Sequence, residues 1–99
     1  MTENLLSDED LARCAQIVAA HRGPIADIVR AVCAETGIRP VDIYAPGPGL
    51  RHVSQARQLI MFIARRRGLT VTQIGRYLNR DHTTVVHGAR AEQARRDQQ

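Results

Sequence analysis

The chain contains no lysine and no tryptophan, and all fourteen of its basic residues are arginine. Without lysine there is no Walker-type phosphate lysine, no Schiff-base lysine and no lysine general base. The exclusive use of arginine itself has two readings: bidentate gripping of phosphate and guanine, or the codon bias of a GC-rich genome. Aromatic residues are scarce too. Tyr44, Phe62 and Tyr77 are the only three, too few for a base-stacking platform, so single-stranded nucleic acid is disfavoured as the main ligand. There are only two cysteines, Cys14 and Cys33, both on predicted helices, where buried thiols acting as small hydrophobes are a simpler account than a disulfide. No apolar run is longer than Leu59 to Ala64, and no basic-then-apolar leader opens the chain. Both absences predict a cytoplasmic protein without membrane contact.

What is present is an ordinary globular composition. A hydrophobic content of 43% in 99 residues supports one domain with a modest core and argues against wholesale disorder. The charge is unevenly placed. Residues 1–50 carry four arginines and seven acids, whereas residues 51–99 carry ten arginines and three acids, so the halves stand at −3 and +7. A basic half of this kind is the electrostatic footprint of a duplex binder.

Every periodic segment repeats as a helix, and none alternates as a strand. Met1 to Leu6 is read as frayed, and Ser7 caps a first helix that runs to Arg22 before Gly23. Pro24 opens a second helix and Gly37 closes it, with Ile25, Ile28, Val29, Val32 and Cys33 as its apolar stripe. A short turn from Pro40 to Tyr44 follows, with Val41 and Tyr44 expected to face the core. The Pro- and Gly-rich stretch from Ala45 to Gly49 can only be a loop. A long helix is expected from His52 to Arg67, burying Val53, Ala56, Ile60, Ile63 and Ala64. The arginines 65–67 at its end suit either the helix dipole or a phosphate. Thr70 and Gln73 have capping-box spacing for a fifth helix through Leu78, and Asn79 suits a left-handed turn. Asp81 then caps a sixth helix that reaches at least Ala94. The expectation is an all-α bundle of about six helices in one domain over 1–99, with a helix-turn-helix over 71–94.

The run from Asn79 to Gly88 holds the functional information. At about 100° per residue, Val85, Val86 and Ala89 share one face of the sixth helix, and Thr83, Thr84, His87 and Arg90 the other. Short polar groups on the outer face of such a helix suit entry into the DNA major groove. There Asp81 can accept from cytosine N4, and Thr83 can bond a base edge or touch a thymine methyl. Each residue also has a purely structural account. Asp81 can simply be the cap, His82 can pack at the helix start, and Val71 and Thr72 can be ordinary first-turn residues rather than thymine contacts.

Gln73-Ile74-Gly75, followed after a spacer by Arg80-Asp81-His82-Thr83-Thr84-Val85-Val86-His87-Gly88, resembles the C-terminal DNA-binding domain of the bacterial replication initiator DnaA. Arg80 to Val85 matches that family's signature, and weaker similarity extends back to about Ile25. The resemblance implies a Trp-repressor-like helix-turn-helix that reads double-stranded DNA. Carried over by position, Asp81, His82 and Thr83 approach bases in the major groove, and Val71 and Thr72 add apolar contact. Thr84, His87 and Arg57 hold phosphates, and Arg90, on the exposed face of the same helix, is a further expected phosphate contact. Two departures stand out. Gln55 occupies the position aligned with the family's minor-groove arginine, and a neutral amide loses the attraction to a narrow groove; Arg51 in the adjoining segment is the candidate substitute. The chain also has no Gly-rich phosphate loop, no lysine and no room for an ATPase module, so a stand-alone domain without bound nucleotide or cofactor is expected.

Three classes of function follow. The first is a sequence-specific duplex binder in the nucleoid that regulates transcription or replication at initiator-box-like sites. The second is a protein-interaction module that keeps the helix-turn-helix shape without binding DNA, motivated by the acidic first half and by Gln55. The third is an enzyme, and it is the weakest. His82 and His87 lie five apart rather than at the i, i+4 spacing that puts two metal ligands on one helical face, so no metal site and no catalysis are expected of His21, His52, His82, His87 and Asp81. The stripe of the first helix can either complete the core or pair two chains into a homodimer.

Overall fold

The computed structural model describes residues 23–99, which form five helices: α1 (Pro24–Thr36), α2 (Pro40–Tyr44), α3 (Arg51–Arg66), α4 (Val71–Leu78) and α5 (His82–Asp97). The described part is all-helical, as expected. The count is five rather than six, because the helix expected over 7–22 lies outside the described residues. So do the expected fraying of Met1 to Leu6, the buried site of Cys14, and the homodimer contact through that helix.

Local sequence explains where each helix begins and ends. Proline opens α1 and α2, where its missing N–H loses no hydrogen bond. Gly37 ends α1 in the left-handed conformation and donates its N–H to the Cys33 carbonyl. At the end of α3, Gly68 (φ 87°) turns the chain while its N–H bonds Arg65 O and the Leu69 N–H bonds Ala64 O. This pair of bonds is a Schellman motif. Arg65 donates from Nη1 to the Leu69 carbonyl at 2.9 Å, so that residue of the arginine triplet braces the link between α3 and α4. Helix α3 starts one residue earlier than the sequence suggests, and α5 runs three residues beyond Ala94 to Asp97.

The core is the set of apolar stripes brought face to face. Ile25, Ile28, Val29, Val32 and Cys33 of α1 pack with Ala56, Ile60 and Ala64 of α3, and α4 contributes Ile74 and Leu78. Ile43, Ile60, Ile74, Leu78, Val29 and Val85 are sealed completely. Each such side chain contributes about 1.5–3 kcal/mol relative to exposure. Burial holds the Cys33 thiol above its ordinary pKa, in keeping with its role as a small hydrophobe.

Two expectations about the core are corrected. In α2 the buried residue is Ile43, whereas Val41 is 62% exposed; Tyr44, partly buried, does pack against the core as expected. A five-residue helix has room for one fully buried position, and Arg39 and Asp42 pair along its outer side at 3.2 Å. Tyr44 meets Tyr77 of α4 edge-on, with their hydroxyls 3.0 Å apart. In α3, Ile63 is half-buried, and Met61 and Arg57 take fully buried places: α5 packs on Met61 at Gly88, and the 42–48 backbone covers Arg57.

Candidate nucleic-acid interface

The helix-turn-helix is α4, a three-residue turn and α5. Thr70 accepts from the Gln73 N–H while the Gln73 side chain accepts from the Thr70 N–H, the capping box expected from their spacing. Asn79 closes α4 in the left-handed conformation (φ 55°, ψ 47°), with Asn79 N–H to Arg76 O at 3.3 Å and Arg80 N–H to Gly75 O at 2.8 Å. That second bond folds the turn back onto Gly75. A Cβ built there would lie 2.6 Å from the Arg80 carbonyl oxygen. Gly88 has a similar task on α5, where a Cβ would lie 2.3 Å from Met61 Sδ. Glycine at these two places sets how closely α5 lies on the turn and on α3. The sequence pattern shows the glycines but not what they touch.

Helix α5 begins with Asp81 as its cap, accepting the Thr83 N–H at 3.0 Å. Bonds from the Thr83 backbone and then the Thr83 hydroxyl hold the Asp81 carboxyl below its ordinary pKa, with a smaller contribution from His82. His82 Nδ1 stands 3.2 Å from Asp81 Oδ1. With Nδ1–H turned to Asp81, a neutral His82 offers Nε2 outward as an acceptor, and a protonated one offers a donor. A depressed carboxyl stabilises the folded state above its ordinary titration range and loses that contribution as pH falls through the lower folded value. Thermal melts between pH 2 and pH 5 should therefore separate the wild type, whose stability falls as the cap protonates, from Asp81→Asn, which keeps a capping oxygen that does not titrate. Parallel curves for the two proteins would remove the carboxylate from this role.

The outer face of α5 matches the sequence reading. Asp81, His82, Thr83, Thr84, His87 and Arg90 are exposed, Val85 is fully buried, and Val86 and Ala89 are half-buried. Thr72, Asp81 and His82 line one open groove of about 560 Å³ between α4 and the start of α5, together with Arg76 and Arg80. Val71 stands apart from them, half-buried against the core. Thr84 and His87 border a second cleft of about 440 Å³, whose other wall is Gly47, Pro48, Ser54 and Gln58. The Pro–Gly loop thus lies beside the outer face of α5, which periodicity could not show.

Arg57 is the main correction. Read from sequence as a phosphate contact, it is only 4% exposed, and its guanidinium donates to three main-chain carbonyls. Nε bonds Ile43 O at 2.9 Å, Nη1 bonds Pro48 O at 2.7 Å, and Nη2 bonds Asp42 O at 2.9 Å. Desolvation and the nearby Arg80 charge lower its pKa, against a smaller opposing effect of Asp42. Such a guanidinium holds the loop and has its donors directed inward. Gln55 is half-buried and lines a third cleft with His52, Leu59, Glu92 and Arg95, whereas Ser54 and Gln58 line the cleft beside Thr84 and His87. Arg51, the exposed first residue of α3, is the basic side chain adjoining the loop.

The arginine excess of residues 51–99 is likewise partly internal. Arg95 and Arg96 pair with Glu92 at 2.7 and 3.0 Å, and Arg96 also lies 4.7 Å from the Phe62 ring centre. Among the described residues, no three His, Cys, Asp or Glu side chains come together in a group able to hold a metal, and no helix is long and apolar enough to cross a membrane.

A search of curated proteins finds no match to the chain. The model of the bacterial DnaA protein helix-turn-helix matches residues 25–91, which takes in α1 to α4 and the first ten residues of α5. With its capping box, left-handed asparagine turn and exposed α5 face all inside a match that covers well over half of its length, the chain belongs to the bacterial DnaA helix-turn-helix family.

Proposed function

We propose that this protein binds double-stranded DNA sequence-specifically, with the N-terminal turn of α5 in the major groove, and regulates transcription or replication at initiator-box-like sites. The observation that carries this reading is the exposed row from Asp81 through Arg90, backed by buried Val85 and aligned with the loop beside it. In this arrangement Asp81, His82 and Thr83 face base edges, with Thr72 beside them. A carboxylate has lone pairs enough to cap α5 and accept from cytosine N4 together. Thr84, His87 and Arg90 face phosphates, and Arg51 extends the contact past the loop. Val71 is at most a marginal base contact, since it is half-buried in the core.

The test is fluorescence anisotropy on a labelled duplex carrying an initiator box, beside a scrambled duplex, at two salt concentrations. The box should bind more tightly, and both affinities should fall with salt as counterions are released. Thr83→Ala should lower the preference for the box by about tenfold, within the 1–3 kcal/mol of a good base contact, and leave scrambled binding nearly unchanged. Arg90→Ala should weaken both duplexes alike and reduce the salt slope by about one. Equal losses on both duplexes for Thr83→Ala would remove its base-reading role. Failure to bind any duplex, or heparin, at low salt would favour the protein-interaction module.

A further inference from the structure

The segment from Ala45 to Leu50 lies in no helix. It carries two prolines, and Gly47 and Gly49 stand at positive φ of 79° and 65°. A stretch of this composition has many conformations open to it, and ordering it on a ligand would oppose binding. Here its conformation is tied from two sides by guanidinium groups. Arg57 holds Asp42, Ile43 and Pro48 from α3. Arg80, in the turn between α4 and α5, donates from Nη2 to Ala45 O at 2.6 Å and to Gly47 O at 3.1 Å. Its own turn is held as well, with Nη1 3.4 Å from Asn79 O. Among the described residues neither arginine forms an ion pair with a carboxylate. Both serve as donor forks for main-chain carbonyls, and a forked planar donor is what arginine supplies and lysine cannot.

We infer that Arg80, acting together with Arg57, is a positioning residue for DNA recognition: it locks the 45–49 loop to the helix-turn-helix turn, so that loop and α5 meet the duplex as one rigid surface. The inference rests on the DNA-binding reading above. It assigns Arg80 a different task from its neighbours in the motif. Asp81 and His82 face outward, whereas Arg80 faces the loop. It also explains why Gly47 and Pro48 border the same cleft as Thr84 and His87, with Arg80 at its edge.

The experiment compares wild type, Arg80→Ala and Arg80→Lys by backbone 15N relaxation, by anisotropy across a salt series, and by hydroxyl-radical footprinting at saturating protein on the box duplex. Arg80→Ala should lower the order parameters of Gly47 and Gly49 and weaken box binding by about tenfold through the lost preorganisation. Its salt slope should stay that of the wild type, since no phosphate contact is removed. Protection next to the loop should disappear while protection under α5 persists. Arg80→Lys keeps the charge but not the fork and should behave like alanine. Thr70→Ala, which weakens the α4 cap without touching the loop, should leave the footprint intact; this separates positioning from general destabilisation. A salt slope smaller by about one with unchanged loop order parameters would make Arg80 a phosphate contact, and full rescue by lysine would make charge the operative property. Either result overturns the inference. Should wild type bind no duplex, the DNA-binding reading fails, while loop relaxation still decides whether Arg80 orders the loop.

Discussion

Replacing Arg57 with alanine is expected to cost about 3 kcal/mol of folding stability, because three carbonyls lose charged donors at once and one of those bonds is fully buried. For a domain of this size that corresponds to a fall of about 15–20 °C in melting temperature. A phosphate-contacting arginine on the surface would behave in the opposite way, with near-wild-type melting and weakened DNA binding. The two accounts are therefore separated by a melt without any DNA. Arg57→Lys should recover little, since one ammonium cannot reach Asp42 O, Ile43 O and Pro48 O in their forked arrangement. An Arg57→Ala protein that melts like wild type and shows a salt slope reduced by about one would restore the phosphate role.

Gly75→Ala is expected to have the second large effect, a destabilisation of about 2–3 kcal/mol, at the upper part of the range for overpacking. The added methyl would stand 2.6 Å from a backbone oxygen of the turn, and that oxygen cannot move without carrying Arg80 and Asp81 with it. The same change should tilt α5 away from α4, so box preference should fall further than stability alone accounts for. Gly88→Ala is the informative comparison. Its clash is with the end of a methionine side chain, a flexible group that can turn aside at lower cost. Chemical denaturation of both variants checks the order. A Gly75→Ala protein as stable as wild type would mean that the turn lies less closely on α4 than this packing requires.

Much of the candidate site is legible before any coordinates. Capping chemistry is local, so the Thr70–Gln73 box, the left-handed Asn79 and the Asp81 cap follow from residue types a few positions apart. The division of α5 into a buried Val85 side and an exposed Thr83, Thr84, His87 and Arg90 side follows from helical period. Arg57 shows where such reasoning stops. Its spacing puts it next to buried Ala56 and one turn before Met61, yet its side-chain chemistry suggests solvent or phosphate. Only the approach of the 42–48 backbone makes burial favourable, by supplying carbonyls for every donor group. The same holds for net charge. The +7 of residues 51–99 suggests a continuous basic surface, but Arg57 and Arg80 are engaged by the loop, Arg65 by the link between α3 and α4, and Arg95 and Arg96 by Glu92.

The sequence by itself determined the helical class, the helix ends, the apolar stripes and the outward row of α5, because each depends on neighbours within about one turn of chain. The tertiary structure alone decided that Ile43 rather than Val41 enters the core, that Gly75 and Gly88 are close-approach sites, that Gln55 and Ser54 serve different clefts, and that two arginines of the basic half tie a loop beside α5. These depend on which groups arrive opposite a residue from beyond one helical turn, from the following turn at Gly75 to residues more than thirty positions away at Arg80, and no periodicity within one helix records that.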